Sequence, residues 1–147
     1  MQPAAAIHEL EARDSELIRR ELFTSGRPAV LRGLVADWPS VALGRGSPPA
    51  IVDYLRRLDN GTPVDAIMTP PEVQGRIFYS EGMNGFNYVR SRLSISSIAE
   101  QVLRYAGHQR PPAVAVQSAP LRDCLPGFTA DNPLGVLDPN VQPRVWL

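Results

Sequence analysis

A chain of 147 residues suits one domain and can bury roughly two-thirds of its unfolded surface, so a cooperative core is within reach. Its 15 basic and 15 acidic residues cancel, which removes the broad field that gathers nucleic acid or anionic lipid, so neither a nucleic-acid nor a membrane partner is expected. Every basic residue is arginine, which excludes Schiff-base and P-loop lysine chemistry, and the lone Cys124 excludes an internal disulfide and points to a reducing, cytoplasmic compartment.

The opening "MQPAAAIHELEARD" has no basic stretch ahead of an apolar run, and nowhere do the ~20 apolar residues of a membrane span occur. Ile7 to Leu10 reads as a short edge strand. Asp14 or Ser15 then caps a helix carrying Leu17, Ile18, Leu22 and Phe23, which Gly26 stops. "RPAVLRGLVADWPS" gives a buried strand at Ala29, Val30 and Leu31, broken at Gly33 and closed by a turn at Trp38 and Pro39.

"SPPAIVDYLRRLDNG" is the best local helix signal. Ser47 caps it, Pro48 sits in the tolerated first turn, Ile51, Tyr54, Leu55 and Leu58 share a face, and Asn60-Gly61 ends it. Residues 64–68 and 76–79 read as two strands of a hairpin-like pair around Pro70-Pro71. "SEGMNGFNY" is loop. A helix follows with Ser97 and Glu100 at capping-box spacing, burying Ile98, Val102 and Leu103 before Gly107.

Residues 113–117 form a short strand, residues 120–128 a loop or single turn, and the stretch to Gln142 is irregular. Arg144, Val145, Trp146 and Leu147 open a further strand behind a proline. Helices gathered in the first two-thirds and short scattered strands predict an α+β fold with antiparallel pairing, not alternating βαβ units. Trp38 and Trp146 are expected to anchor the core.

Residue chemistry alone names no activity. An iron site of the two-histidine, one-carboxylate type needs three convergent ligands, yet His8 and His108 stand far apart and neither lies in a His-x-Asp or His-x-Glu triplet, so no metal site is expected. Cys124 has no histidine nearby, no serine lies in a Gly-x-Ser-x-Gly elbow, and Asp123 disfavours a thiolate, which leaves Cys124 as a small buried hydrophobe. Glu9 and Glu11, Asp53 and Asp59, and the pairs Arg19-Arg20 and Arg56-Arg57 read as solvated surface.

The order of segments is more telling. "GRPAVLRGLVADWPSV", "FYSEGMNGFNY", a capped helix, "PAVAVQSAPLRDCLPGF" and "PRVWL" together resemble the N-terminal part of the cupin-like, JmjC-type Fe(II)/2-oxoglutarate oxygenases of the asparaginyl-hydroxylase kind. The resemblance runs from about Ile7 to the end of the chain. It implies one cupin-like domain over residues 1–147, with helices and short antiparallel strands flanking the first strands of an incomplete double-stranded β-helix of the jelly-roll type.

In complete members His-x-Asp/Glu and a distal His hold Fe(II), and 2-oxoglutarate and dioxygen are consumed in a hydroxylation. A strand like "PRVWL" is followed there by the His-x-Asp, so the resemblance implies a truncated front section, inactive alone, whose metal-bearing barrel core lies outside these residues. It places Gln117 near 2-oxoglutarate, with Ala115 where an aromatic hydroxyl often stands, and Tyr79 near the substrate entrance. The alternative is a non-catalytic binding or dimerisation module that pairs its C-terminal edge strand with a second copy. A frame cut short, with an exposed apolar edge and poor solubility, is the third expectation.

Overall fold

The computed structural model describes residues 7–11 and 15–147. In chain order its elements are β1 (His8–Glu11), α1 (Ser15–Ser25), β2 (Ala29–Arg32), α2 (Pro39–Gly46), α3 (Pro48–Leu58), β3 (Val64–Thr69), a 3-10 turn (Pro71–Val73), β4 (Val89–Leu93), α4 (Ile95–Tyr105), β5 (Ala113–Val116), β6 (Ala119–Pro120), α5 (Leu121–Cys124), α6 (Phe128–Asp131) and β7 (Arg144–Val145). The strands form a parallel pair β1-β2, a three-stranded antiparallel sheet β4-β3-β5, and an antiparallel pair β6-β7. Helices and small sheets thus mix as an α+β domain. Among the described residues no helix is long and apolar enough to cross a membrane.

The expected helix at residues 48–58 forms for the expected reason: the Ser47 hydroxyl accepts from the Ala50 N–H at 3.3 Å, and Val52, Tyr54 and Leu55 are buried. The later helix begins earlier than its sequence pattern suggests. Ser94, not Ser97, is its cap, with Ser97 supplying the N–H that the Ser94 hydroxyl accepts. That shift turns Ile95, Ile98 and Ala99 inward and leaves Val102, expected in the core, exposed.

A second group also holds the start of α4. The Asp59 carboxylate accepts from the Ser96 N–H at 2.7 Å and from the Ser96 hydroxyl, while its other oxygen accepts from the Gly61 N–H at 2.9 Å. Partial burial works to raise the Asp59 pKa, but the bonds from Ser96 and Gly61 outweigh it and hold the carboxyl below its ordinary range. A depressed folded value means the stabilisation is present above the unfolded pKa of about 3.9 and is lost as pH falls through the folded value. Asp59→Asn keeps an acceptor and removes the titration, so its unfolding midpoint is expected to flatten in the acid range relative to the parent, as read by denaturant melts between pH 5 and pH 2.

Helices α3 and α4 lie on one face of the three-stranded sheet. Val64, Ala66 and Val116 from the strands meet Val52 and Leu55, Ile98 and Ala99, and the α5 residues Leu121 and Cys124 in one buried cluster. Cys124 is fully buried, as expected of a small hydrophobe, and desolvation foremost, then Asp59 and Asp123, pushes its thiol pKa up. Arg56 joins Glu100 at 2.8 Å across the helix pair, on a surface where such a link contributes little.

Several expectations are corrected. Strands β1 and β2 pair in parallel around α1, where antiparallel pairing was expected, because an 11-residue helix suffices to carry the chain back to the start of a neighbouring strand. Residues 76–79 are not a strand, and β3 pairs instead with β4. Asn87 takes the place of a strand partner: its N–H donates to the Phe78 carbonyl, its Oδ1 accepts from the Phe78 N–H, and its Nδ2 donates to the Arg76 carbonyl at 2.8 Å. Pro39, expected to close a turn with Trp38, instead starts α2, which runs to Gly46. Phe23 and Trp146 are 68% and 64% exposed; Trp38 is half-buried, its ring edge-on to Phe128 and its indole N–H on the Pro133 carbonyl at 2.8 Å. The expected cap Asp14 lies outside the described residues.

The C-terminal residues run back along β5 and β6. Beyond the β6-β7 pair, Val116 and Leu147 exchange backbone hydrogen bonds at 2.9 and 3.4 Å, and Ser118 at φ 52 lets the chain bulge between β5 and β6. Alternation along that segment turns Val145 toward the core and Trp146 outward, which is the physical reason the tryptophan is not a core anchor.

Candidate functional site

The sheet face turned away from α3 and α4 is the candidate site. Residues directly paired across antiparallel strands share a face, so the register Asp65 with Arg92, Ile67 with Arg90 and Ala115, and Thr69 with Ala113 assigns these side chains to it. Gln117, one alternation beyond Ala115, belongs to the same face; its N–H donates to the Asp65 carbonyl at 3.4 Å and its side chain is exposed. Ile67 and Thr69 are buried there, and among the described residues the Thr69 hydroxyl has no hydrogen-bond partner.

The row continues past the end of β4 into an aromatic hairpin. Phe86, Tyr88 and Arg90 alternate along the chain, and Tyr79 bridges to Phe86 across the hairpin. Tyr79 stacks on Phe86 at 5.3 Å and Phe86 on Tyr88 at 5.0 Å, with the Arg90 guanidinium 5.9 and 5.7 Å from the two ring centres. Phe78 meets Tyr79 edge-on. A turn from Ser80 to Met83, with Met83 at φ 54, closes the hairpin, and the Ser80 N–H donates to the Gly85 carbonyl at 2.9 Å.

Phe78, Tyr79 and Phe86 are exposed, and the ladder borders a cavity of about 320 Å³ at the end of the sheet, which Met68 and Val89 line from the other face. A contiguous set of aromatic and aliphatic side chains in water is the kind of surface that receives another molecule. Phe86→Ala is expected to separate Tyr79 from Tyr88, weaken the near-ultraviolet circular dichroism and destabilise the chain by about 1 kcal/mol, the worth of one or two ring pairs at a half-exposed site.

Tyr79 and Gln117 therefore share a face without touching a common point. Gln117 stands by Asp65 and Tyr88 lies beyond the pair of Met68 with Val89, so about 13 Å of strand separates the two ends. Near Gln117 the Arg92 guanidinium lies 3.5 Å from Asp65, and Arg144 donates through Nε to the Ser118 carbonyl and hydroxyl at 2.8 and 2.6 Å. Both ends carry guanidinium groups, at Arg92 and Arg90.

The donor set for iron is not gathered by the described residues. His8 lies on β1 opposite Ala29, and His108 follows α4 with its ring edge-on to Tyr105. Among the described residues, no three His, Cys, Asp or Glu side chains assemble in a way that could hold a metal ion.

Sequence reasoning missed the Asn132 hub. Its Nδ2 donates to the Tyr54 hydroxyl at 2.7 Å and to the Phe128 carbonyl at 2.9 Å, while its Oδ1 accepts from the Ser40 N–H and hydroxyl at 3.2 and 2.6 Å. The aromatic ladder was missed as a unit, although the alternation Phe86-x-Tyr88-x-Arg90 is a strand-period signal in plain view.

A family model described as a cupin-like domain matches residues 15–145. No curated protein and no solved structure matches the chain.

Proposed function

Because the chain belongs to the cupin-like domain family, we propose that it is the front section of a JmjC-type Fe(II)/2-oxoglutarate-dependent hydroxylase, whose sheet face away from α3 and α4 lines the inside of a double-stranded β-helix. The observation that carries this reading is the single face, opposite the helical core, on which Gln117 and the Tyr79 ladder both lie. Gln117 then faces the 2-oxoglutarate end, where its amide can donate and accept. Tyr79 and the stacked rings form the substrate side.

In this reading Fe(II) and 2-oxoglutarate belong to the complete domain, and residues 7–147 do not turn over by themselves. The cytoplasmic address is part of the same proposal and rests on the unpaired Cys124. The nucleotide sequence beyond the Leu147 codon tests the reading directly. An open frame carrying His-x-Asp or His-x-Glu and a later His is expected; an immediate stop would remove the support for a front section.

A second reading has its own observation. The outer edge of β7 and the exposed Trp146 offer a strand for β-augmentation by a second copy. It requires a dimer at micromolar concentration in sedimentation velocity, and a well-folded monomer speaks against it.

A further inference from the structure

A cavity of about 540 Å³ lies where α1, α5 and α6 meet the irregular segment ahead of β7, and no residue of β3, β4 or β5 lines it. It is therefore separate from the sheet face proposed above. Its size is that of sites for small organic ligands. Leu134, Leu137, Val141 and Pro143 make its walls apolar, and two guanidiniums, Arg19 from α1 and Arg122 from α5, reach it from different elements.

Both arginines are tethered by the inner nitrogen. Arg19 Nε donates to the Val136 carbonyl at 3.3 Å and Arg122 Nε donates to Asp123 Oδ1 at 3.2 Å. An arginine held in this way uses one of its five donors, and its two terminal nitrogens form the fork that matches a carboxylate. The one acidic side chain in the lining, Asp138, is turned into its own loop, where it accepts from the Asn140 N–H at 2.8 Å. Asp123, just outside the lining, is ion-paired with Arg122 through Nε, so the cavity presents the Arg19 guanidinium and the terminal nitrogens of Arg122 beside an apolar wall.

We propose that this cavity binds a small monocarboxylate with an apolar body, its carboxylate between Arg19 and Arg122 and its hydrocarbon against Leu134, Leu137 and Val141. Such a site stands whether or not the sheet face belongs to an oxygenase.

Phenylacetate, its neutral isostere phenylacetamide, and 2-oxoglutarate are the probes, titrated separately into the full chain and followed by amide chemical shifts and calorimetry. Phenylacetate is expected to give saturable shifts centred on residues 129–143. Phenylacetamide, and phenylacetate with Arg122→Gln, are each expected to bind about tenfold more weakly, the worth of a charge-assisted contact. Arg122 is two-thirds exposed, so its replacement should leave the fold intact; an unchanged melting temperature verifies this, and Arg19→Gln serves as the second variant. Equal binding of the acid and the amide, shifts outside this segment, or saturable binding at the cavity by 2-oxoglutarate alone would each overturn the proposal.

Discussion

Asn132→Ala is expected to lower the stability of the chain by about 3–4 kcal/mol, with a fall in melting temperature on the order of 10 °C. Asn132 is 2% exposed and makes four hydrogen bonds, two donated by Nδ2 and two accepted by Oδ1, to residues of α2, α3 and α6. Each such bond contributes on the order of 1 kcal/mol net, and a buried group left without its partner costs more than that. Truncation strands the Ser40 donors, while the Phe128 carbonyl keeps the bond from the backbone N–H of residue 132 at 2.9 Å. The Tyr54 hydroxyl keeps its bond to Asp131 at 3.0 Å, which is why the expected loss is not larger. Urea unfolding at neutral pH measures it, and a loss under about 1 kcal/mol would mean that water replaces the amide freely.

Ile98→Ala is expected to cost about 4 kcal/mol. Ile98 is 0% exposed and sits in the cluster that joins α4 to α3, the sheet and α5. Removing three carbons from a site packed on every side forfeits their transfer energy and leaves a cavity that helices capped at Ser47 and Ser94 can close only in part. With a total stability on the order of 5–15 kcal/mol for a domain, this change brings the chain near its unfolding threshold at physiological temperature. Ile98→Val, which removes one methylene, is expected to cost about 1 kcal/mol. Denaturant melts of the two variants beside the parent measure both values.

Where a cap, a proline and a glycine agreed, as at Ser47, Pro48 and Asn60-Gly61, the sequence located the helix correctly. Where two serines competed, it did not: Ser94 and Ser97 both precede an apolar run, and the choice falls to Ser94 because Asp59, distant in sequence, holds the Ser96 N–H. Strand β4 was not legible, since in "VRSRL" only Leu93 packs against the core and the four residues before it are exposed. The hairpin at 76–79 misled because one side chain, Asn87, supplied the bonds that a strand would have received. Helix α2 was concealed by Gly44 and Gly46, which weaken any local helix signal.

The candidate site was legible in parts. Gln117 and Tyr79 were each singled out through the family resemblance, but their common face follows only from the register of β3 with β4 and β5, which no single segment encodes. Asn132 left no trace because a lone polar residue in an irregular stretch has no local pattern, and its role exists only once three helices meet.

On the function proposed above, these residues furnish a sheet face of a cupin-like oxygenase and not its iron. Anaerobic titration of the purified chain with Fe(II), with 2-oxoglutarate present and oxygen uptake followed afterwards, tests it most directly. No stoichiometric iron site and no 2-oxoglutarate-dependent oxygen consumption are expected. A tight one-to-one site with turnover would contradict this reading.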